Sequence, residues 1–157
     1  MSLSVFPTQI LKVRVAVVLF YAGKLLLMQQ NQKPFWVLPG GTLEEGESIA
    51  DCAIRELQEE VSLDIELVGL LSLSEFSDAK RHVVDVSFLA RLVGGETTWQ
   101  APFPENIDRI EWLDYEAFGK ASLKPDALHT LIFTHWEALS VGEMPQGLGM
   151  YLGKQSI

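Results

Sequence analysis

At 157 residues the chain is sized for one domain with an ordinary core and no covalent staples. Its 48% hydrophobic and 21% charged residues exclude a disordered chain. Twelve basic against 21 acidic residues leave a net charge of −9, which repels phosphate backbones and argues against duplex nucleic acid as a partner. A small anionic substrate stays open, because a bound divalent cation reverses the local sign. The single cysteine, Cys52, cannot close an internal disulfide and suits a reducing compartment. No signal core opens the chain, and the apolar run at residues 13–21 is too short to span a bilayer. The expectation is a cytoplasmic protein without a membrane segment.

In chain order, the β-branched run at residues 15–20 (VAVVLF) predicts a strand buried on both faces. Ala22-Gly23 makes a tight turn into a hairpin partner at residues 24–30 (KLLLMQQ). A polar loop follows, then a short strand at 35–38 (FWVL), stopped by Pro39-Gly40-Gly41. Residues 47–61 carry helical periodicity, with Ile49, Ala50, Ala53, Ile54, Leu57 and Val61 on one side. Two strands are predicted at 65–73 and 82–93, separated by a polar loop at 74–81, and a shorter one at 107–113. Residues 125–139 predict a C-terminal helix with Pro125 near its first turn. The pattern is an α/β (α+β) sandwich with a mixed sheet. Residues 1–140 are expected to form a single domain and 141–157 an irregular, glycine-rich tail.

The chemistry concentrates in residues 41–63 (GTLEEGESIADCAIRELQEEVSL). Glu56, Glu59 and Glu60 stand at i, i+3 and i+4, so their carboxylates share one helix face. Like charges at this spacing destabilise a helix by roughly 0.2–0.5 kcal/mol per pair. Arg55 can pair with Glu59 one turn on, but one guanidinium does not neutralise three carboxylates. Clustered hard oxygens are the donors that Mg²⁺ or Mn²⁺ prefers beside substrate phosphates and water. By itself the hexapeptide from Arg55 to Glu60 equally fits a solvated helix face. The longer spacing changes that. Gly41, Glu47, Arg55, Glu56, Glu59 and Glu60 fit G-x5-E-x7-R-E-U-x-E-E-x-G-U, where U is a bulky aliphatic. Six specified residues give chance odds on the order of one in a million per starting point.

This pattern resembles the signature box of the Nudix hydrolases, with Ser62 where the family has its second glycine. The resemblance implies a Nudix-like α/β/α sandwich and attack of water on a phosphoanhydride of a nucleoside diphosphate-linked compound or nucleoside triphosphate. It implies Glu56, Glu59 and Glu60 as metal ligands with the Gly40 carbonyl as a further ligand, for Mg²⁺ or alternatively Mn²⁺. It also implies that Arg55 orients the glutamates and that Glu47 supports them. A homodimer is one assembly the resemblance allows. Outside the box, Glu105 and Glu111 are candidates for an added ligand or base, and Arg14, Arg81 and Arg91 for phosphate contacts. A solvated carboxylate is the plain alternative for each glutamate. His82, His129 and His135 lack metal-binding spacing and read as structural, and Cys52 reads as helix packing. Phe35 and Trp36 either pack inward or border a base-binding cleft. A nucleotide-binding module that does not cleave is the alternative function.

Overall fold

The computed structural model describes residues 9–148 and 150–155. Its elements are strands β1 (Ile10–Tyr21), β2 (Lys24–Gln30) and β3 (Gly40–Thr42), helix α1 (Ile49–Val61), and strands β4 (Leu63–Ser77), β5 (Arg81–Gly95) and β6 (Ile107–Leu113). Helices α2 (Tyr115–Lys120), α3 (Asp126–Thr134) and α4 (Trp136–Ser140) follow, and β7 (Tyr151–Lys154) closes the chain. The sheet runs β6-β2-β1-β5-β4-β7, with β3 paired to β1 off this path. β1 lies parallel to β5 and antiparallel to β2 and β3, so the sheet is mixed as expected.

The continuous apolar run in β1 has a two-sided explanation. Val15, Val17 and Leu19 enter a core shared with Cys52, Ala53 and Leu57 of α1. Ala16 and Val18 alternate into a second core formed with Phe118, Ile132 and Trp136 of the later helices. A strand buried on both faces needs apolar residues at every position. The result is the expected α/β/α sandwich. At the β1–β2 hairpin Ala22 and Gly23 both take positive φ, 51° and 77°, the backbone that a two-residue turn matching the strand twist requires.

Four expectations need correction. Residues 35–38 are not a strand: their backbone pairing is limited to isolated bridges, Met28 to Val37 and Trp36 to Leu123. Pairing begins instead at Gly40, inside the supposed turn. The polar stretch at 74–81 is not a loop, since β4 runs to Ser77 and β5 restarts at Arg81. Its polarity marks a ladder end that becomes exposed from residue 78 onward, where the Asp78 carboxylate turns the chain by accepting from the N–H groups of Lys80 and Arg81 at 2.8 and 2.9 Å. The predicted C-terminal helix is broken at His135, where φ −108° and ψ 23° leave helical geometry. Finally, the tail is not wholly irregular, because Tyr151–Lys154 pairs parallel with β4. A short-range alternation of four residues containing Gly153 carries little strand signal until β4 offers it an edge. α2 was not anticipated; Asp114 caps it by accepting from Ala117 N–H at 2.8 Å. Among the described residues no helix is long and apolar enough to cross a membrane.

Candidate active site

Helix α1 starts where Ser48 accepts a hydrogen bond from the Asp51 N–H at 3.0 Å, the expected work of an N-cap serine. Its packed stripe is narrower than the periodicity implied. Cys52, Ala53, Leu57 and Val61 are buried, whereas Ile49 and Ile54 are 37% and 42% exposed. Rotating the helix this way turns Glu56 and Glu60 inward, since residues 53, 56, 57 and 60 line one side. Those carboxylates meet β3.

β3 is built to receive them. Gly41 faces Val15 and Gly40 faces Ala16 across the β1–β3 ladder. Val17 N–H donates to Pro39 O and Leu43 N–H to Val13 O. Gly40 therefore sits at a non-hydrogen-bonded position, with both its N–H and its C=O turned away from β1. The N–H donates to the Glu60 carboxylate at 2.7 Å. Gly40 is required by space, since a Cβ there would strike the Val15 carbonyl, whereas a Cβ at Gly41 would displace the Glu56 carboxylate from its place against β3. Gln30, from β2, adds a longer contact to Glu60 at 3.3 Å.

Arg55 organises the acidic residues around it. Its guanidinium donates to Glu47 at 2.6 and 3.0 Å, to Glu56 at 3.0 Å and to Glu59 at 3.0 Å, with Glu44 at 3.6 Å. The Arg55 hydrogen bonds hold the Glu47 carboxyl down at about 2, and Glu47 in turn raises the guanidinium. Glu56 and Glu60 behave oppositely. Burial raises Glu56 against the pull of Arg55. Burial pushes Glu60 up to about 7, opposed by the Gly40 N–H and by the charge of Arg14. Glu59 and Glu60 also occupy the last turn of α1, which has no basic residue. Negative charge at that end opposes the helix dipole. Desolvated carboxylates at Glu56 and Glu60, with Glu59 and Glu60 at the wrong end of the helix dipole, are a donor set that a divalent cation fits, since the ion replaces the missing counter-charge. Among the described residues no three His, Cys, Asp or Glu side chains already converge as a cage. Glu56 and Glu60 meet at β3, while Glu59 stays 58% exposed on Arg55.

The other candidates divide. Arg81 and Arg14 line a cleft on the face opposite α1, together with Phe35 and Asp85. Trp36, its neighbour in sequence, is buried, with Arg109 5.0 Å over its ring. Glu111 is away from the box, paired with Arg109 at 2.6 Å beside Leu27. Glu105 is exposed on the loop whose next residue, Asn106, accepts from Asn31 N–H. Arg91 reaches the Gly142 carbonyl instead of the cleft. Cys52 is buried and its thiol is raised to about 11 by burial, which makes it inert packing. His82 contacts Glu75 at 2.8 Å and His129 contacts the Phe118 carbonyl at 2.9 Å. Gln30 and Asp85 escaped the linear reading. Asp85 did leave a trace, as a charge inside an apolar strand; Gln30 left none.

Ser62 ends α1 in the left-handed region, at φ 55° and ψ 37°, with its N–H on the carbonyls of Leu57 and Gln58. A side chain there costs roughly 1–2 kcal/mol relative to glycine, partly offset by the added freedom glycine gives the unfolded chain. Ser62→Gly is therefore expected to raise stability by about 0.5–1 kcal/mol in urea unfolding, and a lower midpoint would refute the cap reading.

An α/β/α sandwich that sets an Arg-Glu helix against a Gly-Gly strand is the class of domain these elements define. The NUDIX domain family model matches residues 11–136, and the chain belongs to that family. The Nudix hydrolase YvcI of Bacillus subtilis is 30% identical over 113 residues, covering 70% of each chain. The mRNA-decapping enzyme subunit 2 of Saccharomyces cerevisiae is 27% identical over 122 residues, which are 76% of this chain but only 12% of that protein. A solved Nudix hydrolase structure from Nitrosomonas europaea superposes with a TM-score of 0.66 at 20% identity, covering 86% of this chain and 93% of that one. That likeness speaks for the fold.

Proposed function

We propose that this chain hydrolyses a phosphoanhydride bond in a nucleoside diphosphate-linked compound or a nucleoside triphosphate. The observation that carries the reading is the meeting of Glu56 and Glu60 with the Gly40-Gly41 strand. Glu56, Glu59, Glu60 and the Gly40 carbonyl would hold the divalent cation, Mg²⁺ or Mn²⁺. When bound, such an ion stabilises charge on phosphoryl oxygens and lowers the pKa of a bound water. The chain's own residues do the rest. Arg55 fixes the glutamates and Glu47 anchors Arg55 through two contacts. A water oxygen bonds to phosphorus, the bridging P–O bond breaks, and the water's proton passes to a carboxylate of the site. Arg14 and Arg81 attract the anionic substrate, and Glu105 and Glu111 are the carboxylates outside the box that would add a ligand or base on this reading.

A domain over residues 1–140, a cytoplasmic location, a homodimer and indifference to duplex nucleic acid belong to the same proposal. The test is a hydrolysis screen with Mg²⁺ or Mn²⁺ across nucleoside diphosphate sugars, nucleoside triphosphates and dinucleoside polyphosphates, with products weighed by mass spectrometry. A monophosphate product that depends on the cation is expected. Binding without product would favour the silent nucleotide-binding module.

A further inference from the structure

The cleft opposite α1 has a volume of about 290 Å³ and draws its walls from distant parts of the chain. Arg14 comes from β1, Phe35 from the segment before β3, Phe76 from β4, and Arg81 and Asp85 from β5. The last wall is Gln155, immediately after β7. Arg14 links this space to the box: it pairs with Asp85 at 3.3 Å and donates to the Leu38 carbonyl at 2.7 Å, two residues before Gly40.

β7 contributes little to the core. It is a four-residue edge strand, Tyr151 is 58% exposed, and Leu152 is its one apolar contact with the helical core. Short edge strands are weak stabilisers. Yet it is held in register at both ends, by Leu73 N–H to Met150 O at 2.7 Å and Gln155 N–H to Glu75 O at 2.6 Å. Tyr151 adds a hydroxyl donated to the Glu75 carboxylate at 2.5 Å. The consequence is delivery of Gln155 to the cleft. Its amide nitrogen donates to the carbonyls of Leu152 and Gly153, which leaves its side-chain oxygen as an acceptor. Asp85 has a second carboxylate oxygen that Arg14 does not take.

We infer that the C-terminal strand is a selecting wall of the substrate cleft. Gln155, with Asp85, accepts from the N–H groups of an amino-bearing nucleobase held beside Phe35 and Phe76, and Tyr151 is the positioning residue that keeps the wall in place through Glu75. Two acceptors beside aromatic side chains suit a planar ring with several N–H donors, which adenine, guanine and cytosine carry and uracil, with one imide N–H, does not. The inference rests on the cleft receiving the nucleoside end of the substrate proposed above.

The test is calorimetric titration of AMP, GMP, CMP and UMP into the full chain and into Gln155→Leu, Tyr151→Phe and a truncation ending at Leu148. The wild-type chain is expected to favour at least one amino-bearing monophosphate over UMP by about tenfold, the scale of one net hydrogen bond. Gln155→Leu and the truncation should erase that preference, and Tyr151→Phe should weaken it severalfold, with melting temperatures nearly unchanged. Loss of base preference in a chain that still melts cooperatively is an effect that a merely structural role would not produce. Equal binding of all four monophosphates, no binding of any, or a preference that survives in the truncation would overturn the inference. Turnover with unaltered selectivity in the variants would sink this wall and spare the hydrolase; selective binding without turnover would do the reverse.

Discussion

Glu60→Gln is expected to lower kcat/KM by on the order of a thousandfold, the combined scale of a lost metal ligand and a lost proton acceptor. The fold should survive, because the glutamine oxygen still accepts from Gly40 N–H, the contact Glu60 makes at 2.7 Å. A second readout separates this from general damage. Burial pushes the Glu60 carboxyl up to about 7 from an ordinary 4.5, so the metal-free folded chain binds its proton more tightly than the unfolded one. That contribution to stability is complete below about pH 4.5 and is lost as the pH rises through about 7. Above that pH the wild type carries a buried charge that Glu60→Gln lacks. In EDTA at pH 8 the variant should therefore melt higher than the wild type, and at pH 4.5 the gap should close. Retained turnover would remove Glu60 from the metal site, and a variant that melts lower at pH 8 would refute its buried charge.

Arg55→Ala is expected to cost both activity and stability. The guanidinium is 23% exposed and its partners Glu47 and Glu56 are 14% exposed, so their charges are only partly screened. Breaking a fully buried pair costs about 3–5 kcal/mol; this half-buried cluster should lose about 2 kcal/mol, a fall in Tm of roughly 4–8 °C. Activity should drop about 10- to 100-fold, the usual effect of removing a group that orients ligands. Arg55→Lys should recover part of the stability and little of the activity, because one ammonium cannot reproduce the fork that reaches Glu47, Glu56 and Glu59 together. Because Arg55 holds Glu47 at about 2, the Glu47 contribution is present above about pH 4.5 and is lost only as the pH falls towards 2. Wild-type kinetics in Arg55→Ala would show that the glutamates need no organiser.

Much of this site was legible because its parts are local. The spacing from Gly41 to Glu60 is set by one turn of strand, one loop and one helix, and helical periodicity alone puts Glu56, Glu59 and Glu60 on one face. Local geometry also accounts for Ser62, whose place at the helix end is visible in the sequence and whose positive φ follows from it. The exposure of Ile54 was hidden because periodicity describes a stripe and not its partner. What α1 packs against decides which of two adjacent rows turns inward, and that choice set Glu56 and Glu60 against β3 while leaving Glu59 in solvent.

Sequence by itself determined the mixed α/β pattern, the spacing of the box and the Arg55–Glu59 pairing, because each depends on residues close along the chain or on periodicity; the α/β/α layering and the place of Glu47 beside Arg55 came from the family resemblance. Only tertiary structure decided that Gly40 directs its N–H at Glu60, that Gln30 joins it, and that Arg14 and Asp85 stand together on neighbouring strands. It alone brought Gln155 to a cleft walled by Phe35 and Phe76. Those contacts depend on strand register and sheet order, which are fixed by which faces are buried across the whole molecule and not by any segment alone.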